Sequence, residues 1–353
     1  MWSSGAFGYL LDYVLWWVLF LSLVAHTWCF FRFFPSQASP KAALVLGNLF
    51  VFFCFTGAVA LVGESYFRFV AVRTDSFGMS LPAQRWFAIH TRLNSLGFRD
   101  DEWSPDKPMG VRRIAFVGDS FTYGWGIEKP EDRFSDIITA RLNSRGPGGV
   151  EGMNVAKPGW GTQDQIEPIG RMIRDFHVDE VVLCYVPNDI ELLLPRSEAF
   201  NPISPPQPVY FDSIRSSLLD FLYRRVYVPR LPTVRHYHDW LADGFADDAI
   251  WREHQRHLGA IIQSCKDAQA TLRVVLLPFV VTSGETLDMA ALHSKLRRYF
   301  ESNGIAVVDL EPAIRGRPPA ELVVNGGDPH PNKLAHRLFA DAIWDAFYGG
   351  GQP

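Results

Sequence analysis

The stretch RIAFVGDSFTYGWGI, residues 113–127, decides the fold class of this chain of 353 residues. It begins as a run of β-forming apolar residues, passes into a Gly-Asp-Ser turn, and continues as a loop rich in glycine and aromatic residues. Its apolar half predicts a buried strand, because short apolar runs bounded by turn residues are typical of strands covered on both faces. Ser120 would then lie at the edge of a sheet.

Four further apolar runs follow, and helix-like segments separate them. The predicted strands cover residues 112–118, 152–156, 178–186, 271–279 and 304–310. The predicted helices cover Glu131–Arg145, Thr162–Phe176, Asp248–Ala268, Met289–Asn303 and Pro331–Phe347. Strands that alternate with helices form parallel sheets, since right-handed crossovers place helices on both faces. The sequence therefore predicts a three-layer α/β domain with a five-stranded parallel sheet.

Two apolar segments precede this domain, Leu10–Phe31 and Ala42–Gly63. Each has 22 residues and would extend roughly 33 Å as a helix, enough to cross a bilayer. Pro35 and Pro40 interrupt the helix between them. A signal peptide or a buried soluble hairpin is the alternative, but no basic residue precedes the first segment and the second carries no charge. We therefore expect a two-helix transmembrane hairpin.

A hairpin places both chain ends on one side of the membrane. Arg32 and Lys41 lie in its loop, while Arg68 and Arg73 follow its second helix, so basic residues do not decide the orientation cleanly. The absence of Lys and Arg before Leu10 favours an N-terminus outside the cytoplasm. We expect the α/β domain on the extracytoplasmic side.

Composition narrows the function classes. The formal net charge is −4 and the basic residues are scattered, so nothing indicates nucleic-acid binding. The four cysteines show neither metal-ligand spacing nor a disulfide pattern, and we interpret them as buried thiols. We expect neither a metal ion nor another cofactor.

The predicted domains are the hairpin over residues 1–65, a connector over 66–111, and the α/β domain over 112–350. Within the last, residues 192–247 form an insertion too long for a routine crossover. Its proline-rich stretch PISPPQPVY is followed by an amphipathic segment. A lid or substrate wall and a structural excursion on the membrane surface are equal alternatives for it.

Ligands bind open parallel sheets beyond the carboxyl ends of the strands, where the strand order reverses. Ser120 would lie there, but a serine hydroxyl needs a base and donors for the charge that develops on the substrate. Gly159 in NVAKPGWGT offers a backbone amide and Asn188 in CYVPNDI a side-chain amide. Asp328 and His330 in DPHPN offer a base supported by a carboxylate.

Each segment alone has a structural alternative, such as a chance turn or a helix cap. In their order, however, the four resemble the sequence blocks of the SGNH hydrolase superfamily, the GDSL-like esterases. FVGDSFTYGWG matches the first block, NVAKPGWGT the glycine block, VPND the asparagine block and DPHPN the last block. The resemblance covers about Asn94 to Phe347, since NSLGFRDDE is similar to the lead-in of membrane-anchored bacterial members.

The resemblance implies a flavodoxin-like fold and roles for five residues. Ser120 would be the nucleophile, His330 the base, and Asp328 the carboxylate that orients the base. The oxyanion hole would consist of the Ser120 amide, the Gly159 amide and the Asn188 side chain.

Two positions depart from the family pattern. Val186 stands where the third block usually has glycine. The last block is often Asp-x-x-His, but here Gly327 is three residues before His330 and Asp328 only two.

The motifs also have charged and aromatic neighbours. We interpret Asp119 and Asp189 as turn and network residues. Tyr123, Trp125 and Trp160 would suit stacking on a sugar, and packing in the core or under a lid is the alternative.

The resemblance implies a membrane-anchored serine esterase that removes acyl groups, above all acetyl, from carbohydrate or lipid esters through an acyl-serine. With a sugar hydroxyl as acceptor it would be an O-acyltransferase acting on an envelope polysaccharide. A membrane-anchored scaffold that has lost turnover is the third hypothesis. The expected partners are an acylated glycan or small ester and the lipid bilayer.

Overall fold

The computed structural model describes residues 4–33, 39–76, 79–145, 149–196, 216–280 and 288–350. Its strands are β1 Arg112–Gly118, β2 Val150–Ala156, β3 Glu180–Tyr185, β4 Thr271–Leu276, β5 Ala306–Asp309, β6 Val323–Asn325 and β7 Asp328–Pro331. Its α-helices are α1 Ser4–Phe33, α2 Pro40–Ser65, α3 Leu81–His90, α4 Ser120–Tyr123, α5 Phe134–Asn143, α6 Thr162–Phe176, α7 Ser217–Leu222, α8 Pro232–Arg235, α9 Tyr237–Ala246, α10 Asp248–Asp267, α11 Met289–Ser302, α12 Glu311–Ile314 and α13 Lys333–Phe347. Short 3₁₀-helices cover Pro130–Asp132, Pro187–Leu193, Val228–Arg230 and Pro319–Glu321, and π-helical turns cover Tyr66–Val70 and Tyr223–Tyr227.

Strands β1 to β5 form one parallel sheet in the order β2-β1-β3-β4-β5. This is the flavodoxin-like order, in which the direction of winding reverses between β1 and β3. Gly118 of β1 pairs with Ala156 of β2 and with Cys184 of β3. The predicted five-stranded parallel sheet is therefore confirmed, and the segments that follow β1, β2 and β3 leave the sheet beside one another.

Apolar cores cover both faces of the sheet. Ala115 and Val117 of β1 pack in one core, whereas Ile114 and Phe116 pack in the other. Side chains alternate across a strand, so a strand buried on both faces reads as a continuous apolar run. That is why RIAFVG has no polar residue after its first arginine.

The structure departs from the prediction at the last motif. Residues 328–330 were expected just ahead of a helix that begins at Pro331, but Asp328–Pro331 form β7, which pairs antiparallel with β6. The helix begins at Lys333, because the Asn332 side chain caps it by accepting the next free backbone N–H groups.

The chain divides into two compact units. One comprises Met1–Arg73, Gly78–Arg85 and Pro206–Pro229. The other comprises Thr74–Phe77, Trp86–Pro205 and Arg230–Pro353. The domain boundaries predicted at residues 65, 111 and 350 stay predictions.

In the first unit, α1 and α2 pack antiparallel. The Tyr13 and Ser65 hydroxyls are 2.7 Å apart at one end, and the Phe31 and Phe50 rings are 5.7 Å apart towards the other. Both helices are long and apolar enough to cross a membrane, with mean hydropathies of 1.8 and 2.2. The turn predicted between them falls largely on residues 34–38, outside the described residues.

The first unit also contains α7, from the amphipathic half of the predicted insertion. The Glu64 carboxylate accepts a hydrogen bond from the Ser216 hydroxyl at 2.7 Å and from the next two backbone N–H groups. The Phe221 ring stacks on Phe67 with centroids 4.0 Å apart. This half of the insertion is therefore fixed to the end of α2, while its proline-rich stretch lies outside the described residues.

Candidate active site

The edge of the sheet at β1 holds the Gly-Asp-Ser turn tightly. A Cβ atom on Gly118 would lie 3.0 Å from the Cys184 carbonyl oxygen and closer still to Thr122, so only glycine fits there. Asp119 then caps α4 by accepting the Phe121 backbone N–H at 2.8 Å. This places Ser120 at the first position of α4, 8% exposed.

Three predicted side chains form a hydrogen-bonded series. Ser120 Oγ and His330 Nε2 are 2.9 Å apart, and His330 Nδ1 and Asp328 Oδ1 are 2.5 Å apart. Because the carboxylate can only accept, it fixes the proton on Nδ1 and leaves Nε2 free to accept the serine O–H. The structure therefore brings Ser120, His330 and Asp328 together from opposite ends of the domain.

Strand β7 explains how a step of two residues suffices between Asp328 and His330. Side chains at positions i and i+2 of a strand point to the same face. Both side chains therefore project from one side of β7, with the imidazole beyond the carboxylate.

The Asp328 carboxylate is fully buried, and donors surround it. Burial works to raise its pKa, but the neighbouring His330 and hydrogen bonds from His330 and Thr74 outweigh burial, so the pKa lies below its ordinary value. Trp125 also donates its indole N–H to Oδ2, at 3.1 Å. The residue stays an anion beside the imidazole.

Asp119 links Ser120 to Asn188. Asn188 Nδ2 donates to Asp119 Oδ2 at 3.1 Å, and Ser120 Oγ lies 3.4 Å from the same oxygen. One N–H of the Asn188 amide is thereby held by Asp119, and its NH₂ group carries a second. The predicted network role of Asp119 fits these contacts. Burial is the main reason that the pKa of Asp119 is raised, and buried Asp189 beside it has a pKa raised well above its usual range.

Gly159 lies in the turn after β2. Its φ is +80°, and the Trp160 N–H donates to the Lys157 carbonyl oxygen at 3.3 Å, as in a turn that requires glycine at its third position. An added Cβ would meet nothing within 4 Å, so the backbone conformation rather than space calls for glycine. Lys157 N–H donates to the Gly118 carbonyl oxygen at 3.3 Å, which holds the start of this turn against the end of β1.

Residues 116–338 match the family described as GDSL-like Lipase/Acylhydrolase. The chain belongs to this family. The match spans every predicted site residue, from Ser120 in the first block to His330 in the last. The family comprises enzymes that cleave ester bonds, so this GDSL-like protein is an ester hydrolase by class.

Solved structures give a looser likeness. TesA is 12% identical, with 67% of this chain and 99% of that chain covered and a TM-score of 0.42. A catalytic mutant of Axe2, an acetylxylan esterase from Geobacillus stearothermophilus, is 15% identical over 67% and 93% of the two chains, with a TM-score of 0.40. A G-D-S-L family protein from Veillonella parvula is 16% identical over 67% and 98%, with a TM-score of 0.40. No curated protein matches the chain significantly.

The aromatic residues near the motifs divide into two groups. Tyr123 is buried under the Arg99 guanidinium, and Trp160 packs against Phe98 in the core. Trp125, by contrast, lies against the imidazole of His330, with ring centroids 5.5 Å apart and an angle of 26°. Tyr123 and Trp160 therefore pack in the core, as the alternative interpretation had it. Of the three aromatic residues, Trp125 alone contacts the Ser-His-Asp series.

Sequence reasoning missed two supports of the site. Arg99, in the lead-in stretch, is buried and donates to the carbonyl oxygens of Gly124 and Ile127 at 2.7 and 2.6 Å, which braces the loop after Ser120. The signal in the sequence that could have pointed to Arg99 was its place in the lead-in stretch NSLGFRDDE. Thr74 stands 254 residues from Asp328 in a stretch with no motif, so no local signal pointed to it.

Proposed function

We propose that the protein is a membrane-anchored serine esterase that removes acyl groups, acetyl by preference, from carbohydrate or lipid esters. The observation that carries the proposal is the series of two hydrogen bonds that joins Ser120, His330 and Asp328. A scaffold without turnover would have no need of all three groups in this geometry.

In the first half of the reaction, His330 Nε2 takes the proton as Ser120 Oγ attacks the ester carbonyl carbon. Asp328 holds the imidazole in the required tautomer and stabilises the imidazolium that forms. The proton then passes from Nε2 to the alkoxy leaving group, the C–O bond breaks, and an acyl-serine remains.

The negative charge on the tetrahedral intermediate needs donors. We assign this role to the Ser120 amide, the Gly159 amide and the second N–H of the Asn188 side chain. The pairing of β1 with β2 and β3 supports the assignment. These three strands end beside one another, so the segments that follow them, which contain Ser120, Gly159 and Asn188, begin next to each other. Asp119 contributes by holding the Asn188 amide in place.

In the second half, water attacks the acyl-serine while His330 acts as base, and Ser120 is regenerated. An acceptor alcohol that replaces water at this step would turn the same site into a transferase. All other steps are the same, so the product distinguishes the two activities: a free acid for a hydrolase and a new ester for a transferase.

A short acyl group is favoured by the rings around the imidazole. The centroids of Phe121 and Trp125 both lie 5.5 Å from that of His330. Phe279 stands beside Phe121 at 6.2 Å. We infer from these bulky neighbours of the imidazole that a short acyl chain fits beside Ser120 better than a long one.

The two apolar helices support anchoring to a bilayer. In the most apolar part of each, hardly any residue is buried within the protein, 0% for α1 and 6% for the helix that begins at Pro40. Apolar surface of this extent is stable when lipid covers it. We propose that the α/β domain lies outside the cytoplasm, where it would meet acylated envelope glycans; residues 1–9 contain no Lys or Arg, which fits this orientation.

The test uses the full chain in detergent micelles with p-nitrophenyl acetate, butyrate and octanoate. We expect kcat/KM to fall along this series. Ser120→Ala should abolish hydrolysis and labelling by a fluorophosphonate probe without lowering the thermal midpoint of unfolding. The control is Ser264→Ala, a half-buried serine of α10 whose hydroxyl donates to the Ala260 carbonyl oxygen, which should change neither.

Retained labelling or hydrolysis in Ser120→Ala would reject Ser120 as the nucleophile. An acylated glycan, supplied with a glycan acceptor, should release free acetate. If the acetyl group is instead transferred to the acceptor glycan, the protein is a transferase and the proposed hydrolase activity is rejected.

A further inference from the structure

The Asp328 carboxylate uses both oxygens. Oδ1 accepts the His330 Nδ1–H at 2.5 Å, while Oδ2 accepts the Thr74 hydroxyl and the Trp125 indole N–H. A carboxylate bound only through Oδ1 can still turn about its last side-chain torsion, because that torsion is broad. Two donors on Oδ2 remove this freedom and fix the plane of the carboxylate.

Thr74 is itself held in place. It is 1% exposed, and its carbonyl oxygen accepts the Asn325 side-chain N–H at 3.1 Å. Two residues later, the Ser76 N–H and hydroxyl both donate to the Gly327 carbonyl oxygen, at 3.2 and 3.0 Å. Residues 74–76 are thus bound to the end of β6 and to the turn that precedes Asp328, the first residue of β7.

Trp125 reaches Asp328 from the other side of the site. Its backbone N–H donates to the Ser120 carbonyl oxygen at 3.0 Å, which ties it to the nucleophile turn. Its ring lies against the His330 imidazole and, on another side, against Phe87 at 4.6 Å. One indole therefore contacts the face of the base and the carboxylate that orients the base.

We propose that Thr74 and Trp125 are positioning residues for the reaction, which act by holding Oδ2 of Asp328 so that Oδ1 keeps His330 aligned on Ser120. The proposal rests on the proposed function. It assigns a role in the ester-cleaving site to the segment predicted as a mere connector between the membrane hairpin and the domain.

The test compares variants of the full chain that remove single donors. Thr74→Val replaces the hydroxyl by a methyl group of the same size, and Trp125→Phe removes the N–H but keeps a ring against His330. Hydrogen bonds to a charged acceptor are the strong ones, so each variant should lower kcat about 10-fold. KM for p-nitrophenyl acetate should change less than about 2-fold, because neither donor binds substrate.

Rescue and controls separate positioning from general stability. Thr74→Ser keeps the hydroxyl and should recover kcat to within about 2-fold of the parent. Trp103→Phe is the matched control for the indole, because Trp103 Nε1 donates to the Asp100 carboxylate at 3.2 Å. Thr139→Val is the control for the threonine, since that hydroxyl donates to the Ser135 carbonyl oxygen within α5. Both controls should keep the parent kcat.

Unchanged kcat in Thr74→Val and in Trp125→Phe, with Ser120→Ala inactive, would overturn the positioning role and leave the esterase intact. A loss in Thr74→Val that Thr74→Ser does not recover would also overturn it. If Thr74→Val fails to fold, Trp125→Phe decides alone. Activity in Ser120→Ala would instead reject the proposed function, so the two failures are distinguishable.

Discussion

Asp119 and Asp328 are two fully buried carboxylates beside the same Ser-His pair, one after β1 and one in β7, yet their pKa values move in opposite directions. Burial raises both. For Asp328, the electrostatic interaction with His330 and the hydrogen bonds from His330 and Thr74 outweigh burial, so its pKa is lowered. His330 also works to lower the pKa of Asp119, as do the hydrogen bonds from Phe121 and Asn188, but burial outweighs them. Buried Asp189 beside it likewise has a raised pKa.

The difference teaches that burial alone does not set the state of a carboxylate in this site. The balance between burial and the partners that the fold brings to a carboxylate decides the direction of its pKa shift. Asp328 is suited to stabilise an imidazolium, whereas Asp119 is suited to hold the Asn188 amide and cap α4. The predictions that follow test this division of roles.

The largest effect is expected for Asp328→Asn. The amide removes the anion and favours the wrong imidazole tautomer, so kcat should fall about 10³- to 10⁴-fold. Asp309→Asn is the matched control, because Asp309 Oδ1 also lies 2.7 Å from a histidine nitrogen, Nδ1 of His293, outside the Ser-His-Asp series. Steady-state kinetics with p-nitrophenyl acetate measure both, and an Asp328→Asn variant with the parent kcat would refute the orienting role.

A smaller effect is expected for Asp119→Asn. The substitution weakens the acceptor for the Asn188 N–H and loosens one proposed oxyanion donor, a loss of about 10-fold or somewhat more in kcat. Asp189→Asn removes the neighbouring buried carboxylate and should keep kcat within a few-fold of the parent. A loss in Asp119→Asn as large as in Asp328→Asn would contradict the comparison, since it would make Asp119 part of the proton relay.

The smallest effect concerns stability at the edge of the same network. Burial raises the pKa of Glu191 from 4.5 to about 7, despite the hydrogen bond from Tyr237. Its protonated form stabilises the fold fully below pH 4.5, and this contribution is lost as the pH rises from 4.5 to about 7. Glu191→Gln should therefore flatten the decline of the thermal midpoint across that window.

The control for Glu191 is Glu301→Gln, an exposed glutamate of α11, which should leave the pH profile of the midpoint unchanged. Parent and Glu191→Gln curves that run parallel between pH 4.5 and 7 would show that Glu191 does not hold its proton in the folded state.

The sequence by itself determined the three-layer arrangement of the α/β domain and the presence of two long apolar helices. Apolar runs and helical spacing depend on near neighbours, so RIAFVG and the four later runs could be recognised as strands without knowledge of their partners. The order of the blocks also indicated which residues to expect at the edge of the sheet. Element ends were less well predicted, as the cap of Asn332 illustrates, because a cap competes with the residues on either side of it.

Only the tertiary structure decided what surrounds those residues. The pairing of β7 with β6 places Asp328 and His330 on one face, and Thr74 reaches Asp328 across 254 positions of sequence. The opposite pKa shifts of Asp119 and Asp328 follow from such distant partners. A sequence pattern contains periodicity and chain order, but hydrogen bonds and burial depend on distances between atoms, which are fixed only when the chain has folded.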